Sequence, residues 1–308
     1  MKPVRRTVNG VLLLNKHAGI SSGTAVGWSK RLFNAEKAGH TGTLDPFATG
    51  LLPICFGEAA KFSRFMLDAQ KGYRATLKLG QTSSTGDTEG EITQRGPVNI
   101  SIEMVGTVLE KFIGAQTQIP PMHSALKQDG VPLYKLARRG MEVERESRHV
   151  HIERLPLVSL EGDVLVVDAL VSKGTYIRVL AEDIGEVLGC GAYLTALTRT
   201  STGGFDVSAS LSLEQLDAMS LEARDATLLP ADSLAMALPA LTLTADQSRA
   251  LQCGQTPRVA TRLVDGSVCR AYTEAHDFLG VAGITASDSE FATLAAMRLM
   301  TPDPATLA

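Results

Sequence analysis

The sequence GHTGTLDPFATGLLPICFG, at residues 39–57, constrains the fold of this chain more than any other stretch. Its first half contains three glycines and Pro46, which neither a helix nor a regular strand accommodates. Its second half, residues 51–56, is an apolar run that predicts a buried strand. We therefore expect a polar loop that is held by a buried strand, an arrangement that keeps a reactive side chain in place.

The loop carries one imidazole, His40, and one carboxylate, Asp45, among several threonines. Asp45 precedes a proline, which is common turn chemistry, so one interpretation is that its carboxylate only caps the backbone. The other interpretation is that Asp45 is a catalytic carboxylate on a rigid loop. These residues alone leave both interpretations open.

Composition narrows the class of protein. The chain has 308 residues, of which 44% are hydrophobic, and this is typical of a globular protein with a sizeable core. Its apolar runs are far shorter than the roughly 20 residues of a membrane-spanning helix, so we expect a cytoplasmic protein without a membrane span.

The four cysteines form no Cys-x-x-Cys pair, which favours reduced thiols. His149, His151 and Glu153 alternate, but without further ligands they indicate a polar strand face rather than a metal site.

Basic residues cluster in particular segments although the net charge is −3. Lys30, Arg31 and Lys37 precede the loop, and a group of arginines lies within residues 138–148. A basic segment is by default a solvated surface, yet clustered Lys and Arg are also what proteins use to bind nucleic-acid phosphates. We expect a basic face on an otherwise near-neutral protein.

The chain divides into two units. Residues 1–232 contain the loop and most of the long periodic segments, together with a polar stretch at residues 81–92 that we expect to be a loop. Residues 232–239 look like a linker. Residues 239–308 contain several short predicted strands separated by glycine turns, which is typical of a small β-rich module.

Four segments that follow one another along the chain resemble the signatures of one enzyme family. They are GHTGTLDPFATGLLP with Asp45, KGY with Tyr73, the segment of residues 118–140, and KGTYIR with Arg178. All four resemble the tRNA pseudouridine synthase B (TruB) family, and four motifs in one order are much more specific than any single motif. The resemblance covers residues 8–207 and is weaker beyond them.

This resemblance implies an α+β fold, in which helices flank a mixed, mainly antiparallel central sheet, followed by a small β-rich PUA-like RNA-binding domain. It also implies an isomerase that converts the uridine at position 55 of the tRNA T-loop to pseudouridine after flipping the base out of the loop. Such a reaction is redox-neutral and transfers no external group, so we expect no cofactor and no metal. The expected partner is the T-arm of tRNA, without an obligate protein partner, and the expected state is a monomer.

Asp45 occupies the position of the nucleophile in the resemblance, and Arg178 that of the arginine that pairs with it. We expect Arg178 to lower the pKa of Asp45 and to keep the carboxylate ionised. Attack at C6 of the uracil and attack at C1′ of the ribose both remain open.

Substrate contacts follow from the same resemblance. Tyr73 is expected to stack on the base, and Leu197 to provide an apolar wall. His40 is expected to fill the space that the flipped base leaves, and Tyr176 to contact substrate. Lys16 is a further candidate, for which a structural role is weighed equally.

The sequence departs from the family pattern at two positions. His123 stands where the family often has Tyr, so we assign it no role. Thr198 replaces the first of two arginines that often follow the leucine, so only Arg199 remains of the pair and we expect some phosphate contact to be weaker.

Two functions from other classes stay in view. One is an RNA-binding or tRNA-folding protein that uses the same cleft, with chemistry secondary or absent. The other is a hydrolase of small substrates with Asp45 as nucleophile, which needs an acid–base partner; His40 is the only nearby candidate.

Overall fold

The computed structural model describes residues 5–301. The strands of the first unit are β1 (Gly10–Lys16), β2 (Ala38–His40), β3 (Thr49–Phe56), β4 (Lys71–Leu79), β5 (Gln81–Ser83), β6 (Ile92–Gln94), β7 (Gly114–Gln118), β8 (Lys127–Gln128), β9 (Val131–Pro132), β10 (Arg148–Arg154), β11 (Leu157–Glu161), β12 (Val164–Val171), β13 (Ala192–Thr202) and β14 (Phe205–Asp206). Its α-helices are α1 (Ser22–Leu32), α2 (Ser63–Leu67), α3 (Ile102–Glu110), α4 (Leu133–Ala137), α5 (Ile177–Val187), α6 (Leu213–Asp217) and α7 (Leu221–Asp225). Short 3₁₀ helices lie at Gly57–Phe62, Val207–Ala209 and Ala231–Ala235. Within residues 5–301, no helix is long and apolar enough to cross a membrane.

A ten-stranded sheet forms the centre of the first unit, with the order β1-β3-β13-β4-β12-β10-β7 along its main path. Strands β2, β11 and β14 pair beside this path. The pairings of this sheet are antiparallel except for that of β3 with β13, which is parallel. Apolar side chains of the sheet, α1, α3 and α5 form the main core. The predicted mixed, mainly antiparallel sheet flanked by helices is confirmed.

The polar loop leads into the start of β3, where β3 pairs with β13, and the close approach of the two strands requires a glycine. Gly50 pairs with Arg199 and has a φ of +99°, a backbone conformation that favours glycine. An added Cβ at this position would collide with the backbone nitrogen and carbonyl oxygen of Arg199. The loop that carries Asp45 is therefore attached directly to the centre of the sheet.

A second sheet, of five strands, follows. Its elements are β15 (Ala240–Leu243), α8 (Ala245–Gln252), β16 (Arg258–Ala260), β17 (Val268–Thr273), β18 (Phe278–Ser287) and β19 (Phe291–Leu299). The strand order is β15-β17-β18-β19-β16, and it has its own small core. A strand-rich C-terminal module is therefore present, as the glycine-punctuated pattern predicted.

This module packs against the first unit. Phe62, Met66, Leu234 and Val281 belong to one hydrophobic cluster that contains residues of both units. The segment that we expected to be a linker begins with the 3₁₀ helix Ala231–Ala235, which contributes Leu234 to that cluster. The connection is thus packed rather than extended, while the domain boundaries at 1–232 and 239–308 stay predictions.

Candidate active site

Asp45 and Arg178 lie 133 positions apart in the sequence but form an ion pair in the structure. The distance from Arg178 Nη2 to Asp45 Oδ2 is 3.0 Å. Arg178 lies in the first turn of α5, after a turn in which Gly174 has a φ of +80°. Its side chain is only 4% exposed, so the guanidinium is held inside the protein next to the loop carboxylate.

The guanidinium of Arg178 has three further partners. Nε lies 3.5 Å from Oδ2 of Asp87, Nη1 donates to the carbonyl oxygen of Thr85 at 3.0 Å, and Nη2 donates to that of His123 at 2.6 Å. These partners come from separate segments of the chain. Arg178 thereby joins the loop that carries Asp45 to two other loops that border the same cleft.

Asp87 is a component of the site that the sequence interpretation missed. It belongs to the polar stretch at residues 81–92, yet its side chain is 2% exposed. Oδ1 accepts hydrogen bonds from Oγ1 of Thr85 at 2.6 Å and from the backbone nitrogen of Glu89 at 3.0 Å. The only available signal was the Gly86-Asp87 pair, which is ordinary turn chemistry.

The pKa of Asp45 is raised above its ordinary value, contrary to our expectation. Of the side-chain surface of Asp45, 32% is exposed, because the residue lines two cavities. Protein nevertheless surrounds the carboxylate, and the resulting desolvation is the largest influence on its pKa. Arg178 acts to lower the pKa, whereas the negative charge of Asp87 acts to raise it. Burial therefore outweighs the ion pair, and the carboxylate is more basic than an exposed aspartate.

Buried hydrogen bonds hold the loop on both sides of Asp45. Oγ of Ser22 donates to the carbonyl oxygen of Leu44 at 2.9 Å and accepts from the nitrogen of Leu44 at 2.8 Å. Nζ of Lys16 donates to the carbonyl oxygen of Pro46 at 3.2 Å. The residues before and after Asp45 are thus both fixed, which restricts where its carboxylate can point.

Lys16 is fully buried, and its ammonium donates to three backbone carbonyls, those of His17, Ile20 and Pro46. Burial lowers its pKa to about 8. Since these carbonyls occupy the ammonium group, the contacts favour the structural role over direct substrate binding.

Arg199 has a different position from the one that we expected. Its side chain is buried in the sheet, where Nε donates to the carbonyl oxygen of Leu51 at 2.7 Å and Nη2 to that of Gly42 at 3.2 Å. The guanidinium therefore ties the loop to β13 and does not extend toward a phosphate. The sequence does not indicate this burial, because arginine side chains are mostly exposed in proteins.

Two adjoining cavities meet at Asp45 and Arg178, which line both. One cavity, of about 280 Å³, is also lined by Tyr73, Tyr176 and Leu197, and we call it the inner cavity because Tyr73 and Leu197 belong to the main core. The other, of about 660 Å³, is lined by His40 among others, and we call it the outer cavity. Six of the seven predicted site residues therefore border one continuous cleft, and Lys16 supports the loop behind it.

His40 accepts a hydrogen bond at Nδ1 from the backbone nitrogen of Gly42 at 3.2 Å. Burial and the nearby charge of Arg199 lower the pKa of its imidazole. Both observations favour the neutral ring with its proton on Nε2. A neutral ring suits a side chain that is placed against bases rather than against phosphates.

Comparison with known proteins supplies the family. The chain is 48% identical over 299 residues to the tRNA pseudouridine synthase B of Neisseria meningitidis serogroup B, with 97% of this chain and 96% of that protein covered. This chain belongs to the TruB family. The family's N-terminal domain profile matches residues 30–177, and its C-terminal domain profile, that of tRNA pseudouridylate synthase B, matches residues 178–236. The tRNA pseudouridine synthase B of Thiobacillus denitrificans is 50% identical, with 92% of this chain and 94% of that protein covered.

Solved structures agree at the level of the fold. A chain in the crystal structure of a Cbf5-Nop10-Gar1 complex superimposes on this TruB-family protein with a TM-score of 0.75 and 23% identity, covering 95% of this chain and 85% of that one. The relatives and the two domain profiles confirm the family resemblance that the four motifs predicted, and with it the class of enzyme, a pseudouridylate synthase. Within residues 5–301 no group of three or more His, Cys, Asp or Glu side chains is arranged to hold a metal ion.

Proposed function

We propose that this TruB-family enzyme converts the uridine at position 55 of the tRNA T-loop to pseudouridine, with Asp45 as the nucleophile. The observation that carries the proposal is the Asp45–Arg178 ion pair at the junction of the two cavities. The names of its relatives, tRNA pseudouridine synthase B, support the choice of tRNA as substrate. We further propose that the enzyme acts as a monomer in the cytoplasm, and that residues 239–308 form a PUA-like module that adds RNA-binding surface.

The reaction needs little beyond what the cleft provides. The bond between N1 of uracil and C1′ of ribose breaks, the base turns, and a bond forms between C5 and C1′. The proton on C5 is lost to solvent and N1 gains one, so no external group is consumed. Asp45 would form the transient bond that keeps the fragments together, either at C6 or at C1′, and for this it has to be ionised.

The inner cavity suits a uracil ring. Tyr73 and Leu197 lie on the neighbouring strands β4 and β13, where Leu197 pairs with Ala75, two residues beyond Tyr73. Both side chains are more than 90% buried, so they offer a preformed apolar slot for a flat base. Tyr176 closes the slot from the start of α5. A base in this slot would lie against the apolar side chains of Tyr73 and Leu197 while it is detached.

The outer cavity suits the surrounding RNA. A uridine within a folded T-loop is accessible only after it is flipped out, and the stack that it leaves costs a few kcal/mol to open. His40 lines this cavity with a neutral ring and would occupy the vacated space. Arg138, on the cleft side of the basic segment, would meet the RNA backbone.

Tritium release tests this function. A tRNA transcript that is labelled at C5 of its uridines is incubated with the purified protein, and we expect release of one tritium per tRNA. The release should disappear when the T-loop uridine is replaced by cytidine. Continued release from the cytidine transcript would assign the activity to another uridine, and no release from either transcript would refute the proposed isomerisation.

The pH dependence provides a separate test of the electrostatics. Because the pKa of Asp45 is raised, kcat/KM should fall as the pH decreases through that raised value, at a higher pH than for an ordinary aspartate. Asp87→Asn removes a negative charge that raises this pKa, so the acid limb should move to lower pH even where the plateau rate is reduced. The measurement is the pH profile of single-turnover tritium release for both proteins. An acid limb that stays in place or moves upward would contradict the proposed coupling.

A further inference from the structure

Ser124 carries a buried hydroxyl group that forms no hydrogen bond with the described part of the protein. The residue is 4% exposed, and within the described range its Oγ has no hydrogen-bond partner. Buried polar side-chain atoms are nearly always paired, since an unpaired one costs folding free energy. An orphaned hydroxyl that borders a cleft therefore suggests a partner that arrives with the substrate.

The backbone on both sides of this hydroxyl is fixed. Nη2 of Arg178 donates to the carbonyl oxygen of His123 at 2.6 Å, and the nitrogen of Tyr134 donates to the carbonyl oxygen of Ser124 at 3.0 Å. The residue is thus attached to the arginine that holds Asp45 and to the start of α4. A rotation about one side-chain bond is enough to turn its Oγ toward the cavities.

Ser124 also has a particular place along the cleft. It lines both the inner and the outer cavity, as Asp45 and Arg178 do. If the base enters the inner cavity and the RNA backbone stays in the outer one, the sugar and the glycosidic bond lie between them. Asp45 has to lie beside the glycosidic bond to attack either C6 or C1′. Since Ser124 lines the same two cavities as Asp45, it also lies beside the glycosidic bond.

We propose that the hydroxyl of Ser124 hydrogen-bonds an oxygen atom beside the glycosidic bond of the flipped uridine, which is the ribose 2′-hydroxyl or O2 of the uracil. This inference rests on the proposed function, because it presumes a uridine in the inner cavity. A serine hydroxyl both donates and accepts, so it matches either oxygen. Asp45 and Arg178 are paired with each other, and Thr43, which lines the same junction, is exposed. Among the described residues that line both cavities, Ser124 is therefore the one with a buried and unpartnered hydroxyl.

Ser124→Ala and a matched control, Ser248→Ala, separate this role from a structural one. Ser248 is also buried with an unpartnered Oγ, and it lies on α8 inside the C-terminal module rather than on the RNA-binding surface proposed for that module. Because each substitution removes an unpaired buried hydroxyl, neither should lower the midpoint of thermal unfolding. A structural role for Ser124 would lower that midpoint in its variant alone, and this result would overturn the inference.

The substrate contact is measured by binding in an Asp45→Asn background, so that no turnover interferes. Ser124→Ala should raise the Kd for a tRNA with uridine at the target position about three- to tenfold, while Ser248→Ala leaves it unchanged. With 2′-deoxyuridine or with 2-thiouridine at the target position, the effect of Ser124→Ala should vanish for one of the two, and that one identifies the oxygen. An equal loss with both analogues, or no loss with uridine, would overturn the inference.

Wild-type tritium release is measured first and keeps the two proposals apart. Its absence would refute the proposed function. Normal release by the wild-type protein, with Ser124→Ala unchanged in both Kd and single-turnover rate, would refute only the role of Ser124.

Discussion

Replacing Asp45 with Asn should abolish pseudouridine formation and leave tRNA binding in place. We expect the single-turnover rate to fall by at least about 10⁴-fold, because a neutral amide cannot act as the nucleophile. The change is nearly isosteric, and Arg178 keeps Asp87 and two backbone carbonyls as partners. The cleft should therefore retain its shape, so that binding is preserved while chemistry is lost.

The measurement is single-turnover tritium release together with a tRNA binding curve, using protein from a host that lacks its own enzyme of this type. Asp163→Asn is the matched control, since it makes the same change at a half-exposed surface carboxylate paired with Lys78. This control should have the wild-type rate. An active Asp45→Asn protein would show that the nucleophile is another group.

The same variant addresses the competing function. If the protein also promotes tRNA folding through this cleft, Asp45→Asn should anneal unfolded tRNA as well as the wild-type protein does. A variant that has lost release but retains annealing would assign two separable activities to one cleft. Loss of both would tie any folding effect to the reaction itself.

The pairing of Asp45 with Arg178 could be expected before the structure was known, but only through the resemblance of whole motifs. Nothing in the spacing of these residues indicates that they meet. The apolar run after the loop did predict the buried strand β3 from the residues alone. Long apolar segments determine burial, and burial determines most of the sheet.

The surroundings of the ion pair could not be predicted in the same way. Asp87 lies among threonines and glycines, where an acid is ordinarily solvated, and only the folded chain shows that it is buried beside Arg178. The direction of the Asp45 pKa shift depends on the balance between desolvation and two opposite charges, and this balance is a matter of distances. The roles of Ser22 and Arg199 as supports of the loop likewise depend on backbone carbonyls that no motif displays.

Arg178→Lys should lower the rate by about 10²- to 10³-fold although it preserves the charge. One guanidinium serves two carboxylates and two carbonyls from separate segments, and its planar group reaches them in fixed directions. An ammonium is a single point with three donors and cannot hold all four in place. Asp45 would then be displaced from its reactive geometry, and a displacement of about 1 Å is enough to cost about 10²-fold.

The same substitutions of Arg178 should also lower the free energy of unfolding. Asp87 is almost fully buried, and without the guanidinium its charge is poorly compensated, so we expect Arg178→Met to cost about 3–5 kcal/mol of unfolding free energy and Arg178→Lys less. The matched control is Arg74→Lys, which alters an exposed arginine with two hydrogen bonds of 2.8 Å to Asp168. It should retain both the wild-type rate and nearly all of the stability.

The plateau rate and the pH profile of the Arg178 variants distinguish a role in positioning Asp45 from a role of the positive charge alone. If the positive charge alone mattered, Arg178→Lys would retain the wild-type rate and the acid limb of the pH profile would not move. If the geometry of the guanidinium matters, the plateau rate falls while tRNA binding is preserved, and Arg178→Met is no more active than Arg178→Lys. A lysine variant with the wild-type rate would therefore remove Arg178 from the account of how Asp45 is positioned.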